Sequence, residues 1–569
     1  MAVFLLSLLA FDSLLFLASA AGQDAKRDEN RKNPWKSSVV ANEYIVMFDA
    51  YMGTAEMNAT IVDIVGSGGY RIAPRFNPGY GLPSDFAVIV TDPSHDSLVL
   101  SKLRSAEHVR YVVPQRRFTN ILSEAWEETD AQGTTEEAGK EDRAVDTSQG
   151  DFNQLLEGEI QSNSAQEHSA EEKDSQRLEE NLENVEIRHR AHTQFATEDS
   201  SEDPQEASLN RVRRRLHTEV SQIPHLFNAQ YLWDEGYTGK GIKVAVFDTG
   251  LEKDHPHFRN VVLRTDWTDE DTKDDVLGHG TFVAGVIASD TECLGFAPDV
   301  DIYSFRVFTA NRVSYTAWFL DAFNFAIQKR INILNLSIGG PDFLDRPFVE
   351  KVWEMSANKI VVISAIGNDG PTYGTLNNPA DHLDVIGVGG IDFKDRIASF
   401  SSRGMTTWEL PLGSGRVKPD IVAYGHAVQG SGIGGGCKTL SGTSVASPVV
   451  AGAVALLASA VPEAKRAQIL NPASMKQALL AGARELSNAN IFEQGAGKLD
   501  LIDSFEFLTS YTPRVTFFPS TLDLTDCPYM WPYCTQPLFH GAQPTIFNVT
   551  ILNGMGSSGV IVGSPTWIP

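Results

Sequence analysis

Cysteine is scarce in this sequence: Cys293, Cys437, Cys527 and Cys534 are the only four among 569 residues. A chain this long with so few cysteines is not a small scaffold held together by disulfides, and two to four domains are expected. Cys527 and Cys534 bracket a short Pro-rich turn, CPYMWPYC, and are the best disulfide candidate. For Cys293 and Cys437 two alternatives stay open, a second pair or free core thiols.

Long apolar runs and basic segments interleaved with aromatics are also lacking. Beyond the amino terminus no stretch is apolar enough to span a bilayer, and nothing suggests a nucleic-acid surface. The first residues, MAVFLLSLLAFDSLLFLASAAGQ, end an apolar run in Ala18-Ser19-Ala20, which predicts a signal peptide at 1–20 and entry into the secretory pathway. The run has no Lys or Arg before it and is interrupted by Asp12, so a signal anchor or an imperfect gene model is the alternative.

Negative charge is concentrated in one tract of the chain, whose formal net charge is −26. Between Ser123 and Glu206 the sequence has 25 Asp or Glu against six Lys or Arg, with few aromatics. Such a segment cannot bury enough apolar surface to fold, so we predict a disordered, solvated linker at 119–216 rather than a binding surface. The linker ends in a basic run, RVRRRLH.

Hydrophobic patterning divides the rest of the chain into three parts. Strand-like segments at 42–48, 85–90 and 108–118, with a helical stretch at 97–106, predict a small α+β domain over 41–118. Over 217–510, apolar β-branched strands alternate with helical stretches, which predicts an α/β fold with a mainly parallel sheet. From 511 to 569 the chain is β- and Pro-rich, and we expect the start of a β-rich domain that is cut short.

The tripeptide Asp248-Thr-Gly closes the apolar run KVAVFD and occurs in two unrelated classes of protease. Aspartic proteases need two such carboxylates to share a proton, and no second copy in an apolar setting is present, although a dimer could supply one. Downstream, His279 lies in GHGTFVAG and Ser444 in GTSVASPVVAGA. A serine hydroxyl becomes a nucleophile when an imidazole accepts its proton and a carboxylate orients the imidazole, so these three residues predict a catalytic triad.

Each of these residues also has an ordinary structural interpretation. Asp248 or Ser444 alone could cap a helix, His279 could be a structural histidine, and Asn368 in SAIGNDG could be a turn residue. All four together, in this order, favour a catalytic site. Ser444 is predicted to open a helix whose N–H groups favour an oxyanion, and Asn368, which follows the strand-like run KIVVISA, to supply the second donor.

The motifs DTGL, GHGTFVAG, SAIGNDG and GTSVASPVVAGA resemble the four signature regions of subtilases, and the resemblance covers about 222–511. It implies a seven-stranded parallel sheet flanked by helices, serine endopeptidase activity on protein substrates, and a zymogen inhibited by its own domain at 41–118. The chemistry needs no cofactor. Calcium is a common structural ion in the family, but no ligand cluster in this sequence is clear enough to name.

Further segments are similar to a membrane-bound branch of the family: GFAPD, SYTAWFLDAFNFAI, NILNLSIGGPDF, GNDGPTYGTLNNPAD, FSSRGMTTWELP and CPYMWPYC. That branch implies cleavage of membrane-anchored precursors, transcription factor precursors among them, on the luminal side of the Golgi or endoplasmic reticulum after R-x-x-L-like sequences. It also implies a membrane anchor that is not seen in this chain. A soluble secreted subtilase of general processing function and a catalytically silent binding protein on this scaffold are the alternatives.

The basic run at the end of the linker is the expected activation site. Arg213-Arg214-Arg215-Leu216 places an Arg four residues before the Leu216–His217 bond, as the resemblance implies for self-cleavage. Arg211-Val212-Arg213-Arg214 is instead typical of a dibasic site for another convertase, and an exposed cluster that is never cleaved is the third interpretation.

Recognition of a substrate Arg requires a carboxylate in the cleft. Our hypothesis is Asp342, or less favourably Asp345, because they follow the apolar run that lines the substrate cleft in subtilases; Asp274 and Asp275 are competitors.

Sequons predict glycosylation at Asn58 and Asn548, whereas Asn335 lies in the apolar run INILNLSIGG and is expected to be buried and unused.

Overall fold

The computed structural model describes residues 35–75, 78–79, 81–120, 222–337, 339–340, 345–406, 415–521, 548–556 and 562–563. Several predictions from the sequence lie outside these residues: the signal peptide, the acidic linker and its basic run, Asp342, and the Cys527–Cys534 pair. The chain divides into one compact unit formed by Met1–Glu128 and His217–Pro569 and a second, Thr129–Leu216, which lies outside the described residues.

The first unit contains all the described helices and strands. The strands are β1 (Trp35–Met52), β2 (Tyr70–Ile72), β3 (Ser84–Thr91), β4 (Val109–Asn120), β5 (Lys243–Asp248), β6 (Val261–Asp266), β7 (Asp301–Arg306), β8 (Val313–Tyr315), β9 (Ile333–Leu336), β10 (Val361–Ala365), β11 (Ile386–Ile391), β12 (Gly404–Met405), β13 (Val417–Lys418), β14 (Ile421–Tyr424), β15 (Val428–Ser431), β16 (Cys437–Leu440), β17 (Val515–Phe518) and β18 (Thr550–Asn553). The helices are α1 (Thr54–Val65), α2 (Asp96–Arg104), α3 (Ile223–Leu226), α4 (Ala229–Asp234), α5 (His279–Ala288), α6 (Thr316–Lys329), α7 (Arg346–Ala357), α8 (Thr443–Ala460), α9 (Glu463–Ile469), α10 (Pro472–Gly482), α11 (Ile491–Gln494) and α12 (Leu501–Thr509).

Residues 35–120 form an N-terminal domain in which α1 and α2 pack against an antiparallel sheet of order β2-β3-β1-β4. The period of two along β1 sends Val46 and Phe48 into the domain core, while Ile45 and Met47 belong to a separate cluster. The predicted strands and the helix α2 are present. The sheet extends beyond the predicted bounds of 41–118, and α1 and β2 were not predicted.

The α/β domain is built on a seven-stranded sheet of order β14-β11-β10-β9-β5-β7-β6. Every neighbouring pair in this sheet is parallel, which confirms the predicted fold class. In β5, Val244 and Val246 face one hydrophobic cluster, and Ala245 and Phe247 face the other. Both faces of the sheet are therefore covered, as a parallel sheet with helical crossovers requires.

The helices α5 and α8 cover the first face of this sheet, and α6 and α7 cover the second. Contrary to the prediction that no stretch beyond the amino terminus is apolar enough, one helix among the described residues, α8, could cross a membrane by length and composition, but 89% of it is buried inside the domain.

The N-terminal domain docks on the α/β domain through strand pairing and an apolar cluster. Strand β4 pairs antiparallel with β8, which makes β8 the fifth strand of the N-terminal sheet. The cluster contains Ile45, Met47 and Phe86 from the N-terminal domain, with Ala317 and Leu320 from α6. One edge of the α/β domain is thus covered by residues 35–120.

Candidate active site

Asp248 and His279 are held together by the loops that follow β5 and precede α5. His279 Nδ1 lies 2.8 Å from Asp248 Oδ1, and the two residues are 6% and 0% exposed. A Cβ on Gly280 would lie 2.2 Å from Gly250 O, so only glycine allows the first turn of α5 to approach the end of β5 this closely. The carboxylate thereby orients the imidazole and leaves Nε2 as the nitrogen that accepts a proton.

Asp275 supports the start of α5. Its carboxylate accepts hydrogen bonds from Thr249 Oγ1 at 2.8 Å, from the N–H of Gly278 at 2.8 Å and from the N–H of Thr281 at 2.7 Å. These bonds satisfy N–H groups that a helix start leaves unpaired. Asp275 therefore joins the loop that carries Asp248 to the helix that begins at His279.

The electrostatics of His279 follow from this setting. Burial alone lowers the pKa of the imidazole, but the carboxylate of Asp248, and at longer range that of Asp275, raise the pKa above its ordinary value. Arg312 acts in the opposite direction. Within the described residues, the buried His279 Nε2 has no hydrogen-bond partner, so it is available to a reacting group.

Ser444 and Asn368 meet at Gly442, the residue before α8. A Cβ on Gly442 would lie 3.0 Å from Ser444 Oγ and 3.4 Å from Asn368 Nδ2, so both groups border the same space. Asn368 Oδ1 accepts hydrogen bonds from the N–H of Thr443 at 2.8 Å and from Thr443 Oγ1 at 3.0 Å. Because the oxygen is used in this way, the amide nitrogen must face the space beside Ser444.

The four residues lie at the sites that the sequence predicted for them. Asp248 ends β5, His279 begins α5, Ser444 is the second residue of α8, and Asn368 follows β10. At that position of α8 the N–H of Ser444 has no acceptor within the helix, so it is a second donor beside the Asn368 amide. The arrangement can activate a hydroxyl and stabilise an oxyanion.

Three family models match the chain. The model described as "Subtilase family" matches residues 239–497, "Membrane-bound Site-1 Protease Family N-terminal domain" matches 39–116, and "MBTPS1, third Ig-like domain" matches 518–569. The intracellular serine protease of Paenibacillus polymyxa is 33% identical over 255 residues, which are 42% of this chain and 74% of that protein. The chain belongs to the subtilase family.

Two longer relatives match almost the whole of this subtilase. The membrane-bound transcription factor site-1 protease of Homo sapiens is 51% identical over 541 residues, 95% of this chain and 47% of that protein. The subtilisin-like protease SBT6.1 of Arabidopsis thaliana is 51% identical over 528 residues, 92% of this chain and 46% of that protein. The chain spans about half the length of these relatives.

The carboxylates considered for substrate recognition in this subtilase differ in what they contact. Asp345 is buried at the start of α7, and its Oδ2 accepts a hydrogen bond from Thr316 Oγ1 at 2.5 Å. Asp274 pairs with Arg264, and Asp275 is committed to the turn before α5. Strand β9 ends at Leu336, so the strand was predicted too long. Asp342 lies outside the described residues and stays a hypothesis.

Arg306 is a functional support that sequence reasoning missed. It ends β7 directly beside Asp248 in the sheet and is fully buried. Its guanidinium pairs with Glu270 and donates to Thr268 Oγ1 at 3.0 Å and to Thr272 O at 3.1 Å. Arg306 therefore anchors the acidic loop that leads to His279. The sequence did contain one indication of this role. The acidic residues at 266–275 include a single cation, Lys273, so a further cation from elsewhere in the chain was to be expected.

The remaining predicted sites are ordinary surface or core positions. Asn58 lies half-buried on α1 and Asn548 half-buried before β18, and glycosylation at both stays a prediction. Asn335 is fully buried, where its amide donates to Ser337 Oγ at 2.7 Å and accepts from Ser447 Oγ at 2.7 Å. Over the described ranges, no group of three or more His, Cys, Asp or Glu is placed to hold a metal ion, and structural calcium stays a prediction.

Proposed function

We propose that this chain is a serine endopeptidase in which Ser444 is the nucleophile. Two observations carry the proposal: the Asp248–His279 hydrogen bond of 2.8 Å, and the helix start at which Ser444 Oγ and Asn368 Nδ2 border one space. Ser444 Oγ attacks the scissile carbonyl while His279 Nε2 accepts its proton, and Asp248 stabilises the imidazolium. The oxyanion is bound by Asn368 Nδ2 and the N–H of Ser444.

The second half of the reaction uses the same groups. The imidazolium of His279 gives its proton to the leaving amine, which departs and leaves an acyl group on Ser444. A water molecule then loses a proton to His279 Nε2 and attacks the acyl carbonyl, which regenerates the hydroxyl.

The N-terminal domain is proposed to be the inhibitor of the enzyme. Support comes from the antiparallel pairing of β4 with β8, in which Thr119 is opposite Val313 and Arg117 is opposite Tyr315. Strand addition of this kind binds a chain in extended form along a sheet edge. The chain that follows Asn120 leads into the linker. Cleavage of the linker after Arg213-Arg214-Arg215-Leu216 is proposed to release the domain.

The substrates are proposed to be membrane-anchored precursor proteins, transcription factor precursors among them, cleaved on the luminal side of the Golgi or endoplasmic reticulum after R-x-x-L-like sequences. The supporting observation is the 51% identity to a protein named membrane-bound transcription factor site-1 protease, which extends through the N-terminal domain. Asp342 is proposed to bind the substrate Arg. An Asp342→Asn enzyme should lose the preference for Arg over Gln at that subsite, and a preference that is retained would remove the assignment.

The test is to express residues 21–569 in a secretory host beside Ser444→Ala and to sequence the amino terminus of each mature protein. A terminus at His217 in the wild type alone would establish an active nucleophile and cleavage after Arg-Arg-Arg-Leu. A terminus at Arg215 in both proteins would instead show activation by a host convertase. Failure of a fluorophosphonate to label Ser444 in the processed protein would refute the enzyme and favour a silent binding scaffold.

A further inference from the structure

Two thiols from distant parts of the chain meet behind the Asp248 loop. Cys293 is buried in the segment after α5, and Cys437 is exposed at the first position of β16. Each thiol perturbs the pKa of the other, as expected of side chains that are close neighbours. Cys293 Sγ also lies 3.8 Å from the carbonyl oxygen of Gly436, the neighbour of Cys437. The fold therefore brings together half of the four cysteines in the chain.

We propose that Cys293 and Cys437 form a disulfide in the secreted protein, which tethers the hairpin β15–β16 to the segment after α5. The proposal rests on entry into the secretory pathway, a compartment in which disulfides form and persist. It does not depend on peptide-bond cleavage.

The hairpin that would be tethered has a glycine-rich tip. Cys437 pairs with Ser431 across the hairpin and closes the loop 432–436. Gly434, Gly435 and Gly436 in this loop all have positive φ, of 79°, 92° and 73°. Glycines can adopt many backbone conformations once the chain unfolds or the loop opens. A covalent link at the end of the loop would therefore remove a large conformational entropy from these states.

The tip packs against the elements that support the triad. The N–H of Gly434 donates to Glu252 Oε2 at 2.8 Å, in the loop that follows Asp248. A Cβ on Gly278 would lie 3.1 Å from the side chain of Ile433, and Gly278 immediately precedes His279. Fixing the hairpin therefore fixes one wall beside the imidazole.

The exposure of the two thiols sets the order of the chemical steps. Cys437, which is exposed, attacks a disulfide of a luminal donor, either glutathione disulfide or a disulfide oxidoreductase. A Cys437–donor disulfide forms, and the first donor thiol leaves. Cys293 then attacks Cys437 Sγ, which forms the Cys293–Cys437 bond and releases the second donor thiol. Two protein thiols are oxidised, and one donor disulfide is reduced to two thiols.

A base is needed for the second step because burial raises the pKa of the Cys293 thiol. His257 Nδ1 lies 2.9 Å from Ser431 Oγ and 3.6 Å from Cys293 Sγ, so it can accept the thiol proton as the S–S bond forms, and the proton passes on to the departing donor thiolate. Burial, followed by the nearby His255, lowers the pKa of His257 and so keeps the ring neutral. Glu292 Oε2 lies 3.8 Å from Nε2 of the same ring, which favours the proton on Nε2 and leaves Nδ1 as the acceptor.

The direct test identifies the bond by mass spectrometry. Residues 21–569 carrying Ser444→Ala, which prevents self-digestion, are secreted, denatured with N-ethylmaleimide and digested without reduction. The expected result is a peptide pair joined through Cys293 and Cys437 that separates on reduction. Alkylation of both residues, or a bond from either one to Cys527 or Cys534, would overturn the proposal. A failure of fluorophosphonate labelling in the wild type would refute the proposed function but leave this readout unaffected.

A stability measurement separates the bond from the packing of the two side chains. Cys293→Ser, Cys437→Ser and the double variant should each lower the unfolding midpoint by the same amount, roughly 5–10 °C. Dithiothreitol should lower the midpoint of the wild type and of the control Cys527→Ser by a similar amount. It should lower the midpoint of the Cys293 and Cys437 variants clearly less, because only the predicted Cys527–Cys534 bond remains to be reduced in them. If the decreases in midpoint of the two single variants add up in the double variant, the proposal is overturned.

Discussion

Lys351 joins the N-terminal domain to the α/β domain through a buried ammonium group. Its Nζ donates to Asp85 Oδ2 at 2.8 Å and to Tyr51 Oη at 3.1 Å in the N-terminal domain, and to Glu354 Oε2 at 2.6 Å on its own helix. Lys351 is 1% exposed and Asp85 is 4% exposed, so the pair is shielded from water in the intact structure. We predict that Asp85→Ala weakens binding of the N-terminal domain.

The magnitude follows from the partners that remain. A hydrogen bond to a charged group contributes about 1.5–3 kcal/mol. Every 1.4 kcal/mol or so is tenfold in a binding constant, so the dissociation constant of the domain should rise roughly 10- to 150-fold. The larger loss of about 3–5 kcal/mol, typical of a buried charge left alone, is not expected because Glu354 still pairs with Lys351.

The assay is inhibition of the mature enzyme by the added N-terminal domain, with a fluorogenic R-x-x-L peptide as substrate. Asp63→Ala, which removes an exposed carboxylate of α1, is the matched control and should change the inhibition constant less than about twofold. Lys351→Met in the enzyme completes a double-mutant cycle with Asp85→Ala. An increase below threefold for Asp85→Ala, or effects that add within about 0.5 kcal/mol, would refute the reasoning.

Three further predictions concern the oxyanion donor, the support of His279 and a buried sequon. Asn368→Asp keeps the acceptor for Thr443 but replaces the oxyanion donor, so kcat should fall at least about 10²- to 10³-fold in steady-state assays, and an equal change in KM alone would contradict this. Asp275→Asn removes a carboxylate that raises the His279 pKa, so the acid limb of kcat/KM should move to lower pH; a profile that stays in place would contradict the assignment. Because Asn335 is buried, mass spectrometry of the secreted protein should find it without a glycan, and an occupied site would contradict the packing.

The sequence predicted the elements that carry the candidate site residues because each residue lies in a motif with local constraints. Asp248 had to end a buried strand and His279 had to begin a helix packed closely through glycine, and both features can be seen in a few consecutive residues. The parallel sheet was predictable for a similar reason, since strands buried on both faces are apolar throughout. Local pattern is therefore enough for the elements and for the residues at their ends.

The sequence does not show which charged side chains are buried and hydrogen-bonded within the fold, and so cannot bind a substrate. Asp275 and Asp345 were both plausible as exposed partners of a substrate Arg, yet both are buried and bonded to Thr249 and Thr316 respectively. Their burial depends on elements that are far away in the chain. The helix α1 was missed for a different reason: its apolar residues at 57, 61 and 65 follow the helical spacing, but β-branched neighbours weaken the helical signal.

The contacts of Lys351 could not be predicted from the sequence, and they bear on how the proposed inhibitor is released. In the sequence it is one lysine on an amphipathic helix, a residue type that is almost always exposed. In the structure two of its three hydrogen-bond partners, Asp85 and Tyr51, belong to the domain that is proposed to leave. Departure of that domain exposes Lys351 to water, which solvates the ammonium and offsets part of the lost interaction. The pairing of β4 with β8 is lost in the same step. A substrate strand that takes the place of β4 would therefore replace the pairing with β8, but it would not replace the hydrogen bonds to Lys351. Peptides should accordingly displace the Asp85→Ala domain at lower concentration than the wild-type domain, by the same factor as its loss of affinity.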